Sequence, residues 1–197
     1  MKIKFVLVSA LLLLNAFAAA QTKTNSDVEP PEKKIANQSR RTIKRLGVFT
    51  NMRFTAEHQY GYSVELWQEK NRVFGLFLSS EGLSGDTPTG LLEDAALDSK
   101  TGRLTFRARL SMGMTVDKNN REVPTHDVFQ FAGVLKNRNL SGTLTHTDDS
   151  TGAATTSKKK ISLALSKSET AKLSAPQSYD EWKKAADEIL AARGPKW

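Results

Sequence analysis

Tyr60-Gly-Tyr-Ser-Val-Glu-Leu-Trp-Gln68, joined through Glu-Lys-Asn to Arg72-Val-Phe-Gly-Leu-Phe-Leu78, decides how this chain folds. In the first run Tyr62, Val64 and Leu66 alternate with Ser63, Glu65 and Trp67, the period of two expected of a strand with one face in a core. The second run is apolar on both sides, with Phe74, Leu76 and Leu78 opposed to Val73, Gly75 and Phe77. A strand buried on both faces needs a second cover. We expect the first set to face the core, and Trp67, Val73 and Phe77 to lie beneath an element packed on the outside of the sheet.

The same grammar continues towards the C-terminus. Residues 79–90 are rich in Ser, Gly and Pro and read as a long loop, the kind of connection that often carries binding. Beyond it come Leu91-Leu-Glu-Asp-Ala-Ala-Leu97, a turn ending in Gly102, and a strand in which Leu104, Phe106, Ala108 and Leu110 alternate with Thr105, Arg107 and Arg109. Residues 112–124 read as a polar connection. Val128-Phe-Gln-Phe-Ala-Gly-Val-Leu135, Leu140-Ser-Gly-Thr-Leu-Thr-His146 and Lys158-Lys-Lys-Ile-Ser-Leu-Ala-Leu165 complete the series. Towards the N-terminus, Leu46-Gly-Val-Phe-Thr-Asn-Met-Arg-Phe54 supplies the first strand. The chain is thus mainly β, an antiparallel up-and-down meander of about eight strands, and closing it as a barrel removes the exposed edges.

The period then changes. Ser178-Tyr-Asp-Glu181 is a capping box, Trp182, Ala186, Ile189 and Leu190 fall on one helical face, and Gly194-Pro195 supplies a stop. One C-terminal amphipathic helix over residues 178–193 is expected to cover the second and third strands through Trp182 and Ile189.

Five segments follow. Residues 1–20 combine a basic start, an apolar run over 5–14 and small residues before Ala20, the pattern of an export signal cleaved near Ala20. Residues 21–45 are a disordered basic linker, 46–167 the barrel, 168–177 a second linker and 178–193 the helix. The mature chain is expected to be secreted or periplasmic and not membrane-spanning, since no other stretch approaches the roughly 20 apolar residues a spanning helix needs. The absence of cysteine excludes disulfides and thiolate metal sites and suits a bacterial envelope.

The net charge of +8 is unevenly distributed. Residues 21–45 hold seven basic groups against three acidic ones, whereas residues 46–197 hold 20 against 18. A body so close to neutral argues against nucleic acid as a partner. Arg40, Arg41, Lys44 and Arg45 could still meet an envelope protein or an anionic surface.

For chemistry the residues offer little. His58, His126 and His146 have only sequence-adjacent acidic neighbours, as in His126-Asp127 and His146-Thr-Asp148, so we expect no metal and no cofactor. No Gly-x-Ser-x-Gly elbow marks a nucleophile, and no catalytic residue is assigned. Alternation turns Glu65 outward, while Glu93 shares a face with Ala95 and Leu97 and reads as the more inward carboxylate. The remaining candidate is the inward lining, with Tyr62, Leu66, Phe74, Leu76, Phe106, Phe129 and Phe131 as the contacts for a small apolar ligand. The expected function is therefore an exported, non-enzymatic binding protein. The alternatives are a filled barrel acting through its surface as an envelope-interaction or inhibitor protein, and a barrel enzyme.

Over residues 46–193 this layout resembles the calycin group, the lipocalins and their relatives. Gly47-Val-Phe49 stands where lipocalins carry Gly-x-Trp, and Lys158-Lys-Lys160 lies on the last strand, where an Arg often packs on that Trp. The chain is also similar in style to uncharacterised exported bacterial β-proteins. The calycin resemblance implies an eight-stranded barrel with a helix after its last strand and a ligand held inside.

Overall fold

The computed structural model describes residues 43–83, 87–150 and 154–197. The expected export signal over residues 1–20, most of the expected linker with Arg40 and Arg41, and the centres of the connections after Leu83 and Asp148 lie outside the described residues. Twelve strands and two helices follow in order: β1 (Ile43–Thr50), β2 (Arg53–Phe54), β3 (His58–Glu69), β4 (Arg72–Leu83), β5 (Thr89–Leu91), β6 (Glu93–Leu97), β7 (Arg103–Leu110), β8 (Met114–Val116), β9 (Glu122–Pro124), β10 (Asp127–Lys136), β11 (Asn139–Asp148), β12 (Thr155–Ser166), α1 (Lys167–Lys172) and α2 (Tyr179–Arg193).

The main sheet runs β5-β4-β3-β1-β12-β11-β10-β7-β6, every pairing antiparallel, and is nearly closed as a barrel. Closure comes from one broken strand. β5 pairs with β4 and β6 with β7, and between them the Leu92 N–H donates to the Gly75 carbonyl at 3.0 Å. Gly90 makes this crossing feasible, because a Cβ there would stand 2.3 Å from the Arg109 carbonyl oxygen. The strand count exceeds eight because this stave is split, β2 adds a short piece to β3, and residues 112–124 contain the separate β8–β9 hairpin.

The interior is a continuous apolar cluster. Phe77 lies 5.9 Å from Tyr62, 5.8 Å from Phe106 and 5.1 Å from Phe129, centroid to centroid, and Phe106 stacks on Phe131 at 5.2 Å. Leu66, Leu104 and Leu163 are fully buried around them, each such side chain contributing about 1.5–3 kcal/mol. The Phe131 ring lies over the facing pair Gly133 and Gly142, where Cβ atoms would meet its Cζ at 2.4 and 2.7 Å.

A second apolar cluster lies outside the sheet, where Trp67, Phe74 and Leu76 pack with Trp182 and Ala186 of α2. This corrects the expected facing of β4. Register pairs Gly75 with Leu66 and Phe77 with Val64, so Val73 and Phe77 face the core, and Phe74, Leu76 and Leu78 turn outward. The larger set can go outside because α2 covers it, while the Leu92 side chain comes close over Gly75 within. Trp67 sits under α2 as expected.

α2 starts as its capping box predicts. The Ser178 hydroxyl accepts from the Glu181 N–H at 3.1 Å, and the Glu181 carboxylate reaches back to the Gln177 N–H at 2.7 Å. Trp182 and Ala186 are buried, but Ile189 is 43% exposed, so the covering face is narrower than expected. Residues 168–177 contain most of α1, capped by Ser166. There Arg45 donates to the carbonyls of Thr170 and Leu173 at 3.1 and 2.8 Å. One member of the basic run is thereby committed to holding α1 against β1. Phe49 is buried and pairs with Leu165 on β12, not with the lysine run.

Candidate functional site

The connections sort by length onto the two ends of the barrel. Tight turns with residues at positive φ, among them Lys70, Asn137 and Arg138, close one end. The strand ends that flank the longer connections, Thr50 and His58, Leu83 and Thr89, Leu110 and Asp127, and Asp148 and Thr155, all lie at the other. At that loop-bearing end the inner face changes from apolar to titratable.

Alternation along each strand produces the change. On β10, Phe131 and Phe129 point inward, and the next residue on that face is Asp127. On β11 the inward series is Leu140, Gly142, Leu144 and then His146, in register with Phe129. The His146 ring stacks on Phe129 at 4.4 Å with the planes 6° apart, and its Nε2 lies 2.7 Å from Asp127 Oδ1. Asp127 Oδ2 accepts the Met112 N–H at 2.8 Å. The carboxylate side chain is 3% exposed and the imidazole 36%, so the pair is anchored inside and reaches solvent through the ring.

Around this pair stand Tyr62 from β3, Ser79 and Glu81 from β4, and Lys159 from β12. Tyr62 is pinned through its backbone, its N–H donating to Asn51 Oδ1 at 2.8 Å and its carbonyl accepting from Thr50 Oγ1 at 3.0 Å. Lys159, in register with inward Leu144, carries its Nζ over the Tyr62 ring at 5.6 Å. Ser79 is fully buried opposite Tyr62, and its hydroxyl has no hydrogen-bond partner among the described residues.

Electrostatics follow from these neighbours. Burial pushes the Tyr62 phenol up, and the charge on Glu81 adds to it. Burial opposes ionisation of Asp127, yet hydrogen bonds from His146, Thr125 and the Met112 N–H hold its carboxyl below the usual range. The hydrogen bond to Asp127 raises His146 against its own desolvation, with help from the charges of Asp127, Glu81 and Asp148. The pair is therefore an ionic hydrogen bond over the mildly acidic range.

The residues expected to contact a ligand divide into three groups. Tyr62 and Phe129 reach this end, Phe106, Phe131 and Leu66 fill the barrel below, and Phe74 and Leu76 lie outside under α2. Glu93 also turns outward, bound to Arg109 at 2.6 Å, because a bulge at Asp94, with φ of 51°, breaks the alternation that Ala95 and Leu97 set. Asp127, His146, Glu81 and Lys159 escape a sequence reading that pairs each histidine with its nearest acidic neighbour. The partners are crossed between the strands: His146 takes Asp127, and His126 lies 3.5 Å from Asp149. Carrying the strict alternation two residues past Phe129 and Leu144 would have found both members of the pair.

Chemically, the set can hold a proton, accept or donate hydrogen bonds and offer aromatic faces. Among the described residues no hydroxyl bonds to His146, no group of three acidic or histidine side chains could hold a metal ion, and no helix is long and apolar enough to cross a membrane. No protein-family model, no curated protein and no solved structure matches the chain.

Proposed function

We infer that this chain is an exported, non-enzymatic β-barrel binding protein, a calycin-like carrier, that takes a small and mainly apolar ligand at its loop-bearing end. The observation that carries the reading is the stacked Phe129–His146 pair beside Tyr62, where an apolar floor meets a titratable rim. The apolar body of the ligand would rest on Tyr62 and Phe129, and its polar end would meet His146, Asp127 and Lys159. The aromatic cluster below limits the depth of entry, so the ligand is short or enters only in part. That same filled interior favours a second reading, in which the barrel acts through its outer surface on an envelope partner.

Native mass spectrometry of the protein purified from the exported fraction, followed by organic extraction, tests the first reading. The expected result is a reproducible adduct on the order of a few hundred daltons, lost in His146→Gln and retained in the outer-face variant Ile189→Ala. A clean unliganded mass, together with no thermal shift across a panel of fatty acids, amphipathic amines and aromatic acids, would overturn it in favour of the surface reading.

A further inference from the structure

The outer faces of β7, β10, β11 and β12 form a groove of about 410 Å³ that is unrelated to the loop-bearing end. Its pattern is set by register. Arg107, Gln130, Thr145 and Lys158 stand in one row across the four strands, and Thr105, Ala132, Thr143 and Lys160 in the next. Three interstrand steps separate the ends of each row, roughly 14 Å at the usual strand spacing. The floor between is made of short side chains, so a slim, flat molecule can lie against it.

The groove is built to hydrogen-bond and to attract negative charge. Arg107 Nε is buried from solvent and has no hydrogen-bond partner among the described residues. Its nearest carboxylate, Glu93, is 4.0 Å from the guanidinium and is already bound to Arg109 at 2.6 Å. At the far end Lys160 donates to the Thr143 hydroxyl at 3.0 Å, and Lys158 beside it is exposed. Asp94 at the near rim adds an acceptor. No aromatic side chain is exposed on these rows, so stacking, the usual grip on a neutral sugar, is missing, and affinity must come from charge and hydrogen bonds.

We propose that this face binds a short acidic glycan strand lying across β7, β10, β11 and β12, with one carboxylate on the Arg107 guanidinium and another near Lys158 and Lys160. Threonine and glutamine side chains between the cationic ends would meet the sugar hydroxyls, and the span between those ends fits about three sugar units. The site is separate from the ligand end and does not depend on it.

Isothermal titration calorimetry of the full chain with a uronic-acid trisaccharide, its neutral methyl ester and inorganic phosphate decides the matter. The expected result is binding of the acid alone, weakened on the order of tenfold by Arg107→Gln and by Lys158→Gln. Lys100→Gln, in the turn at the opposite end of the barrel from Lys158, should leave it unchanged. Circular dichroism checks that each variant is folded, and Lys158→Gln, on an exposed side chain, carries the test if Arg107→Gln is not. Equal binding of the methyl ester, equal weakening by Lys100→Gln, phosphate binding as tight as the trisaccharide, or no binding at all would each overturn the proposal.

Discussion

His146 and Asp127 are an ion pair whose strength pH controls, and the sign follows from the direction of each shift. His146 is raised in the folded protein, so its stabilisation is complete below the ordinary imidazole value and is lost as pH rises through the folded one. Asp127 is lowered, so its share is present above the ordinary carboxylate value and is lost as pH falls through the folded one. The pair is therefore worth most between about pH 4 and about 6.5. His146→Gln keeps a neutral donor for Asp127 and isolates the charge. In thermal melts across pH, the Tm lost by this variant should be greatest in that window and shrink above it. A loss that does not vary with pH would mean that stacking on Phe129, not charge, is what His146 contributes.

At the scale of elements, α2 is held on the sheet by one tryptophan and one carboxylate. Trp182 sits 4.7 Å from Phe74, and its Nε1 donates at 3.1 Å to Glu65 Oε1, the same oxygen that accepts from Trp67 Nε1. Tyr179 closes the cluster, with Arg72 over its ring at 4.4 Å. Trp182→Ala should cost about 3–5 kcal/mol, read as a lower denaturation midpoint, while Ile189→Ala should leave stability nearly unchanged. An unaltered midpoint in Trp182→Ala would reject the packing. The helix was legible in the sequence because Ser178, Glu181 and Gly194 are local signals that need no tertiary knowledge. The facing of β4 was not, because both its faces are apolar and only pairing with β3 decides between them. Glu93 misled for a related reason: the bulge at Asp94 shifts the period by backbone conformation, which side-chain type does not announce. The Asp127–His146 pair joins residues nineteen apart through strand register, and nearness in sequence pointed His126 to Asp127 and His146 to Asp148 rather than to the partners they take.

For the whole molecule, the up-and-down order was legible because, β1–β12 apart, each long strand pairs with the next long strand along the chain, β7 with β10 across the β8–β9 hairpin, so alternation and turn residues sufficed. Besides the split β5–β6 stave, the nearly closed barrel needs a second join that is different in kind. β1 meets β12 through Val48 with Ser166 and Phe49 with Leu165, residues more than a hundred positions apart. Every other stave can form as soon as its hairpin exists, but this one must wait for the last strand, and long-range closure of that sort is slow. Until then the incomplete sheet has two bare edges, each offering unpaired N–H and C=O groups to any neighbouring chain. A chain ending at residue 154 should keep both edges open and self-associate, which light scattering during refolding would report against a monodisperse full-length control. During synthesis and refolding this protein therefore passes through a stage at which crowding by its own copies is the main hazard, and dilution or a chaperone that masks strand edges should raise its yield more than any change to its core.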